Sequence, residues 1–447
     1  MIKRRIEQEL QKFYDAKGRY ALLVDGARQV GKTFIIESFA RTHYQSFLKI
    51  DFIRTPDAKA IFQDVADESE ILVRLSAFSE QPLVKGQTLI FLDEIEQCPE
   101  AVTYVKYLVQ EGSFSYVLSG SLLGVELKDI RSVPVGFMDE VKMFPLDFEE
   151  FVQAIVPNGT LLEEARKAWN ESRPLAKVFH EKLQRLFRLY LVVGGMPEAV
   201  QTYIDTKDIR QVVDVQSKIL KEYRRDIAQY DAANSLRIRE VFERLAPELN
   251  GKNKRFHADS VSEVGRFDRL EDEFVWLKAA GVALPVCNVT EPKIPLTLAT
   301  KPNFFKLFMN DVGLLAAQYM NGIQLKLLNG ETDINFGAVF ENFVAQELVA
   351  HGFEPRYYNS TRHGEIDFVV ERGGAVVPLE VKSGKHYARH SALSHLLSDS
   401  EYDLPQAFVF NDKVWKSAER ILYLPVYMIA FLKPVPLPEK MIYELPQ

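Results

Sequence analysis

Tyr20-Ala-Leu-Leu-Val-Asp-Gly-Ala-Arg-Gln-Val-Gly-Lys-Thr33 decides how this chain is read. Gly26, Gly31, Lys32 and Thr33 complete the pattern G-x-x-x-x-G-K-[ST] of a phosphate-binding loop. The setting supports the letters: Ala21 to Val24 is a short apolar run of strand type, and Phe34 to Arg41 continues as a helix with Phe34, Ile35 and Phe39 available for packing. Glycines let such a loop turn its backbone N–H groups onto phosphate oxygens, and the helix N-terminus adds a favourable dipole. Gly26, Ala27, Arg28, Gln29, Val30, Gly31, Lys32, Thr33 and Phe34 are therefore candidate nucleotide contacts. Lys32 would reach the β- and γ-phosphates of ATP, and the Thr33 hydroxyl would serve as a ligand to Mg²⁺.

Outward from the loop, Ser46 to Phe52 reads as a second strand, and Thr88-Leu-Ile-Phe-Leu-Asp-Glu94 as a third. A fully buried parallel strand is a continuous apolar run whose carboxyl end opens at the ligand crevice. Asp93 placed there is a second candidate Mg²⁺ ligand, and Glu94 a candidate base for an attacking water. The plain alternative is a strand that ends in acids. Another strand, Phe114 to Leu118, ends in Ser119-Gly120-Ser121. Ser119 would lie between the two earlier strands, where it either senses the γ-phosphate or simply forms a turn.

The chain has 447 residues, enough for about three domains. Its 47% hydrophobic and 26% charged content is that of a globular protein. A net charge of −7 argues against binding nucleic acid by bulk charge, though not against a local basic groove. Two distant cysteines, Cys98 and Cys287, make neither a disulfide framework nor a metal cluster, so a reducing, cytoplasmic setting is expected. The N-terminal MIKRRIEQEL lacks the apolar core of a signal peptide. The apolar run Ile421 to Leu432 has 12 residues and contains Pro425, too short to span a bilayer, so no membrane association is expected.

The order GARQVGKT (26–33), IFLDEIEQCPE (90–100), YVLSGSLLG (116–124) and VPVGFMDEVKMFPLDFEEF (133–151) resembles the prokaryotic AAA-type (AAA_14-like) P-loop ATPases that carry a C-terminal DUF4143 domain. In that family a Gly-Arg pair often precedes PLDFEEF. Here the pair is Gly136-Phe137, and Arg131 is the nearest upstream substitute, with a surface ion pair as its plain alternative. Gly194-Gly195 followed by Pro197 resembles the G-x-P element of signalling ATPases. That resemblance implies Pro197 on the adenine side of the nucleotide, and a helix cap is compatible with it.

Residues 161–188 read as helical, and Val212 to Tyr230 as a long charged helix. Ile238 to Leu249, Ala258 to Val264 and Phe267 to Ala280 follow as short helices, with candidate strands at Val282–Val286 and Pro295–Leu298. Three helices and a two-stranded wing make a winged helix, whose last helix normally enters DNA. That helix is acidic here, so a scaffold role is preferred to DNA reading.

Ala338 to Ala350 is an amphipathic helix with Glu341 at the edge of its apolar face. In Glu365–Glu371 alternation sets Asp367 opposite Ile366, Phe368 and Val370. In Val376–Lys382 the residues Glu380 and Lys382 share a face. Gln406 to Asn411 adds a further strand. A helical Glu, a strand Asp and Glu-x-Lys on the next strand resemble restriction-endonuclease-like nucleases. In that resemblance Asp367 and Glu380 hold Mg²⁺ or Mn²⁺, Lys382 steadies the transition state, and Glu341 completes the site. The alternative is a retained fold whose acids merely pair with Lys382, Lys385 and Arg362.

The expected organisation is α/β: a parallel-sheet P-loop ATPase domain at 1–157, a helical lid at 158–225, a winged helix at 226–315 and a nuclease-like domain at 316–447. Two functions remain open, an ATP-regulated nuclease acting on DNA and a non-cleaving nucleotide-dependent switch that binds DNA or a protein partner. Oligomeric state is not encoded in any motif, and no arginine finger for a neighbouring subunit stands out.

Overall fold

The computed structural model describes the chain apart from residues 1, 121–135, 231–234, 252–253, 258–270, 320–321, 332–336, 385–387, 413–414, 439 and 443–447. Ser121, Arg131, Lys385 and the helix expected at 258–264 lie outside the described residues, as does the start of the one expected at 267–280.

Helix α1 (Ile6–Asp15) leads into β1 (Ala21–Asp25), all five of whose residues are buried, as befits a strand covered on both faces. Then come α2 (Lys32–His43), β2 (Ser46–Asp51), α3 (Glu68–Phe78), β3 (Thr88–Asp93), α4 (Pro99–Glu111), β4 (Ser115–Gly120) and β5 (Met138–Lys142). The strands form one sheet in the order β2-β3-β4-β1-β5, and every pairing is parallel. All carboxyl ends thus face one side. Phe34 departs from the expected packing: it is 65% exposed, while Ile35, Ile36 and Phe39 carry the buried face of α2.

Helix α5 (Phe148–Ile155) starts in a capping box, the Asp147 carboxylate accepting from the Glu150 amide at 2.9 Å and Glu150 from the Asp147 amide at 3.1 Å. The helix expected over 161–188 is two helices, α6 (Thr160–Asn170) and α7 (Lys177–Val193). Pro174 lies in the gap, where its ring and missing N–H stop α6 from continuing. Gly194 ends α7 at φ 70°, and Pro197 opens α8 (Pro197–Thr206). A Cβ on Gly195 would lie 2.1 Å from the Leu146 carbonyl oxygen, so two backbones meet where no side chain fits. Long α9 (Ile209–Tyr230), α10 (Ser235–Leu249) and α11 (Glu271–Ala279) follow.

The remaining elements are β6 (Ala283–Val289), β7 (Thr300–Met309), α12 (Val312–Gln318), α13 (Ile323–Asn329), α14 (Gly337–Ala350), β8 (Arg356–Ser360), β9 (Gly364–Arg372), β10 (Ala375–Lys382), α15 (Ser391–Ser398), β11 (Ala407–Asn411), β12 (Lys416–Ala418) and β13 (Ile421–Pro425). They build a mixed eight-stranded sheet in the order β12-β13-β11-β10-β9-β8-β6-β7. The strand expected at Pro295–Leu298 is instead a 3-10 turn at Leu296–Ala299, and β7 begins only at Thr300. The β6–β7 hairpin is no free wing, because β6 pairs in parallel with β8 and so extends the C-terminal sheet. In α11, Glu273, Phe274, Trp276 and Leu277 are buried, and Glu273 pairs with Arg237 at 2.8 Å.

One hydrophobic core runs from Val24 under the parallel sheet through α5 and α7 to α14. Phe343 of α14 is its joint. Its ring lies 4.9 Å from Phe187, 5.7 Å from Tyr190 and 6.0 Å from Phe148, all at steep edge-on angles. Glu347, on the same helix, is fully buried and accepts the Phe148 amide at 2.9 Å. Truncating a buried phenylalanine removes its transfer energy and leaves a cavity, so Phe343→Ala is expected to cost about 3–5 kcal/mol in urea unfolding. A loss below about 1 kcal/mol would show that the parts do not share this core.

Candidate functional site

The loop between β1 and α2 is shaped by backbone that L-residues rarely adopt, with φ 155° at Gly26, 65° at Gln29 and 95° at Gly31. A Cβ on Gly26 would sit 2.2 Å from the Met143 carbonyl oxygen, so the loop can lie against the end of β5 only without a side chain there. Pro197 packs on the other flank, its Cγ 3.5 Å from where a Gly31 Cβ would be. The Lys32 ammonium turns back into its own loop, donating to the carbonyl oxygens of Gly26 at 2.6 Å and Ala27 at 3.0 Å. Burial pulls its pKa down despite the nearby charges of Glu94, Glu96, Asp25 and Asp93.

Because β4 lies between β3 and β1, Ser119 comes to stand beside Asp93. Asp93 is 3% exposed and accepts from the Thr33 hydroxyl at 3.0 Å and from the Ser119 hydroxyl, with the Lys49 ammonium 3.2 Å away. Thr33 and Asp93, the two residues read as Mg²⁺ ligands, are thus adjacent. Their hydroxyl and carboxylate oxygens suit a hard cation, and the lysine and loop amides suit phosphate. Glu94, next along, has a left-handed φ of 57°. Burial and the neighbouring Glu96 push its carboxyl up to about 8.

Helix α9 closes the loop from outside, and nothing in the sequence pattern foretold it. Arg28 pairs with Asp226, Gln29 donates to Glu222, and the Tyr223 hydroxyl donates to the Arg28 carbonyl at 3.4 Å. Burial, with Glu222 and Glu94 adding negative charge, pushes Asp226 up to about 6 although Arg28 opposes it.

The second constellation is also brought together. Glu341 of α14, Asp367 of β9 and Glu380 and Lys382 of β10 converge, Lys382 meeting Glu380 at 2.9 Å and Asp367 accepting the Val381 amide at 2.8 Å. Of the cations expected to pair with these acids, Lys382 does so and Lys385 lies outside the described residues. Arg362 pairs with Asp399 at 2.9 Å and Glu401 at 3.1 Å, away from the cluster. Lys306 of β7, with a side chain 0% exposed, enters it instead, 2.8 Å from Glu365, 3.6 Å from Glu341 and 3.9 Å from Asp367. Lys254 pairs with Glu341 as well. Burial disfavours the Lys306 charge, but Glu341, Asp367 and Glu365 outweigh it and keep the ammonium protonated. Among the described residues no group of three or more His, Cys, Asp or Glu side chains is arranged to hold a metal ion. Asp367 and Glu380, expected as ligands, face lysines. The available signal for Lys306 was one charge inside the apolar run Phe304 to Met309.

Among the described residues no helix is long and apolar enough to cross a membrane. Three family models match the sequence: an AAA domain over residues 18–152, a domain of unknown function (DUF8612) over 184–326 and a domain of unknown function (DUF4143) over 336–426. No curated protein matches. Among solved structures, the Walker-type ATPase PABY2304 of Pyrococcus abyssi is 14% identical, with 72% of this chain and 96% of that one covered at a TM-score of 0.42. The Aeropyrum pernix ORC1 protein in complex with DNA is 12% identical, covering 73% and 95% at 0.29. Cdc6p of Pyrobaculum aerophilum is 13% identical, covering 74% and 96% at 0.26. Overlaps at those TM-scores carry no weight, so the assignment rests on the family matches and the loop's geometry. The chain carries an AAA domain of the P-loop ATPase class at residues 18–152 and a DUF4143 domain at residues 336–426.

Proposed function

We propose that this chain is an ATP-binding and ATP-hydrolysing switch whose nucleotide state is passed through α9 to the C-terminal sheet, without metal-dependent cleavage there. The observation that carries the reading is the alignment of Lys32, Thr33, Asp93, Ser119 and left-handed Glu94 at the carboxyl ends of three adjacent strands. A non-glycine residue held at positive φ stores strain, and such strain gathers at working sites.

In this reading the loop amides and the Lys32 ammonium exchange the loop's own carbonyls for phosphate oxygens. Mg²⁺, held by Thr33 and Asp93, supplies charge neutralisation when bound. Ser119 and Lys49 fix the Asp93 carboxylate by hydrogen bond and charge. Glu94 takes the proton of the water whose oxygen bonds to the γ-phosphorus as the bond to ADP breaks. The elevated Glu94 pKa makes it a competent proton acceptor once ionised.

Two carboxylates of α9, Glu222 and Asp226, stand against the loop that would receive a polyanion. ATP must loosen these contacts, which gives the helix different neighbours in the loaded and unloaded states. The non-cleaving reading of the C-terminal domain is supported by Lys306 in the acid cluster.

Lys32→Ala removes a charge-assisted donor and is expected to weaken ATP binding about 10- to 100-fold in calorimetry. Unchanged affinity would defeat the assignment. Glu94→Gln should bind ATP nearly as wild type yet hydrolyse it about 10²- to 10⁴-fold more slowly, as loss of a general base does; equal turnover would remove Glu94 from the mechanism. At pH 8, Asp226→Asn should tighten ATP binding by about 1 kcal/mol, roughly fivefold, by taking a negative charge from the loop. Weaker or unaltered binding would show that α9 does not oppose the nucleotide.

A further inference from the structure

Lys306 lies in a strand, is wholly buried and has its ammonium among carboxylates drawn from different elements: Glu365 and Asp367 of β9 and Glu341 of α14. A lysine is almost never fully buried unless paired, and here Glu365 is the close partner at 2.8 Å, with Glu341 and Asp367 farther off at 3.6 and 3.9 Å. The Tyr357 ring closes another side, its centroid 5.2 Å from Nζ. Glu341 Oε2 is buried and makes no hydrogen bond among the described residues; the Lys306 ammonium, 3.6 Å off, faces it.

From this we infer that Lys306 is the resident cation of the C-terminal acid cluster, its ammonium standing at the focus of Glu341, Glu365 and Asp367 where a divalent ion would otherwise bind. The inference is independent of the nucleotide reading and rests on the C-terminal cluster alone.

Charge supports it. Four carboxyl groups, Glu341, Glu365, Asp367 and Glu380, face three lysines, Lys254, Lys306 and Lys382. A divalent cation entering beside the buried Lys306 ammonium would set like charges against each other, which is costly while that ammonium stays among the acids. It would also need about six oxygen ligands, several of them already committed to lysine. Lys306 cannot swing out to water as a surface lysine does, because its whole stem is buried in β7.

Removing the ammonium should open a metal site. Mn²⁺ titration followed by electron paramagnetic resonance, on the full chain without nucleotide, should show the same Mn²⁺ uptake for wild type and Asp367→Asn. Lys306→Met should gain about one equivalent per chain, and Asp367→Asn in that background should abolish the gain. Lys306→Met strips a counter-charge from buried acids and can fail to fold. The charge-conserving pair Lys306→Met with Glu365→Gln keeps Glu341, Asp367 and Glu380 and serves the same test. Linear DNA with Mn²⁺ should stay uncut by wild type above the Asp367→Asn background. The inference is overturned if wild type loses a Mn²⁺ site or a cleavage activity on Asp367→Asn. It is equally overturned if a folded Lys306 variant takes up no extra ion, or takes up one that Asp367→Asn does not remove.

Discussion

Five strands running the same way leave their carboxyl ends on one edge of the sheet, and that constraint decides where chemistry can occur in the N-terminal part. β1 delivers the glycine loop, β3 delivers Asp93 and Glu94, and β4, inserted between them, delivers Ser119. The three groups are far apart in sequence. Their meeting follows from strand order alone, and so do the short bonds that join Thr33, Asp93 and Ser119.

What surrounds that edge is held by buried charge as well as by apolar contact. Arg4 donates to the Val30 carbonyl at 3.0 Å and the Phe144 carbonyl at 2.7 Å, bracing the loop from below. Asp311, fully buried, accepts the Gly195 amide at 2.6 Å and the Leu314 amide at 2.9 Å, so one carboxylate ties the end of α7 to the start of α12. Burial pushes that carboxyl up to about 6, and backbone donors alone offset part of the shift. Gly194 and Gly195 make the approach possible, because any Cβ there would collide with Asp311 or Leu146. The glycine pair read from the sequence as a nucleotide element thus has a packing reason of its own.

Four of the five parallel strands were legible as short local runs, and Ala21–Asp25, Ser46–Asp51, Thr88–Asp93 and Ser115–Gly120 match those runs within two residues; β5, with no buried residue, gave no such signal. Helix α14 and strands β9, β10 and β11 were legible for the same local reason. The C-terminal sheet as a whole was not. β6 pairs in parallel with β8 across three helices, and alternation within a strand says nothing about a partner so far along the chain. For that reason a hairpin that looked like a wing belongs to a larger sheet, and Lys306, on that hairpin, joined no motif. The acids of the second site were visible as residue types; the cation that neutralises them was visible only once the sheet was assembled. Phe34 failed differently. It has the right hydrophobicity for a core, but helical phase turns it away from the face that Ile35, Ile36 and Phe39 bury.

The two polar sites are joined by one continuous set of contacts. The Tyr223 hydroxyl of α9 donates to the Arg28 carbonyl at 3.4 Å and accepts from the Asn310 side-chain Nδ2 at 3.3 Å. Asn310 directly follows β7, the strand that places Lys306 among the acids. At the same point Asn342, next to Glu341 on α14, holds both the N–H and the carbonyl of Met309, at 2.7 and 3.1 Å. β7 runs directly from Lys306 to Asn310, and the ion pairs around that ammonium tie this stretch to β9 and α14. Contiguity by itself is only a route; a switch also requires that a ligand touch one end differently in two states. Under the proposed function Arg28 and Gln29 are that end, since both lie in the phosphate loop and both are held by α9. The acid cluster therefore anchors the far end of this route through Lys306.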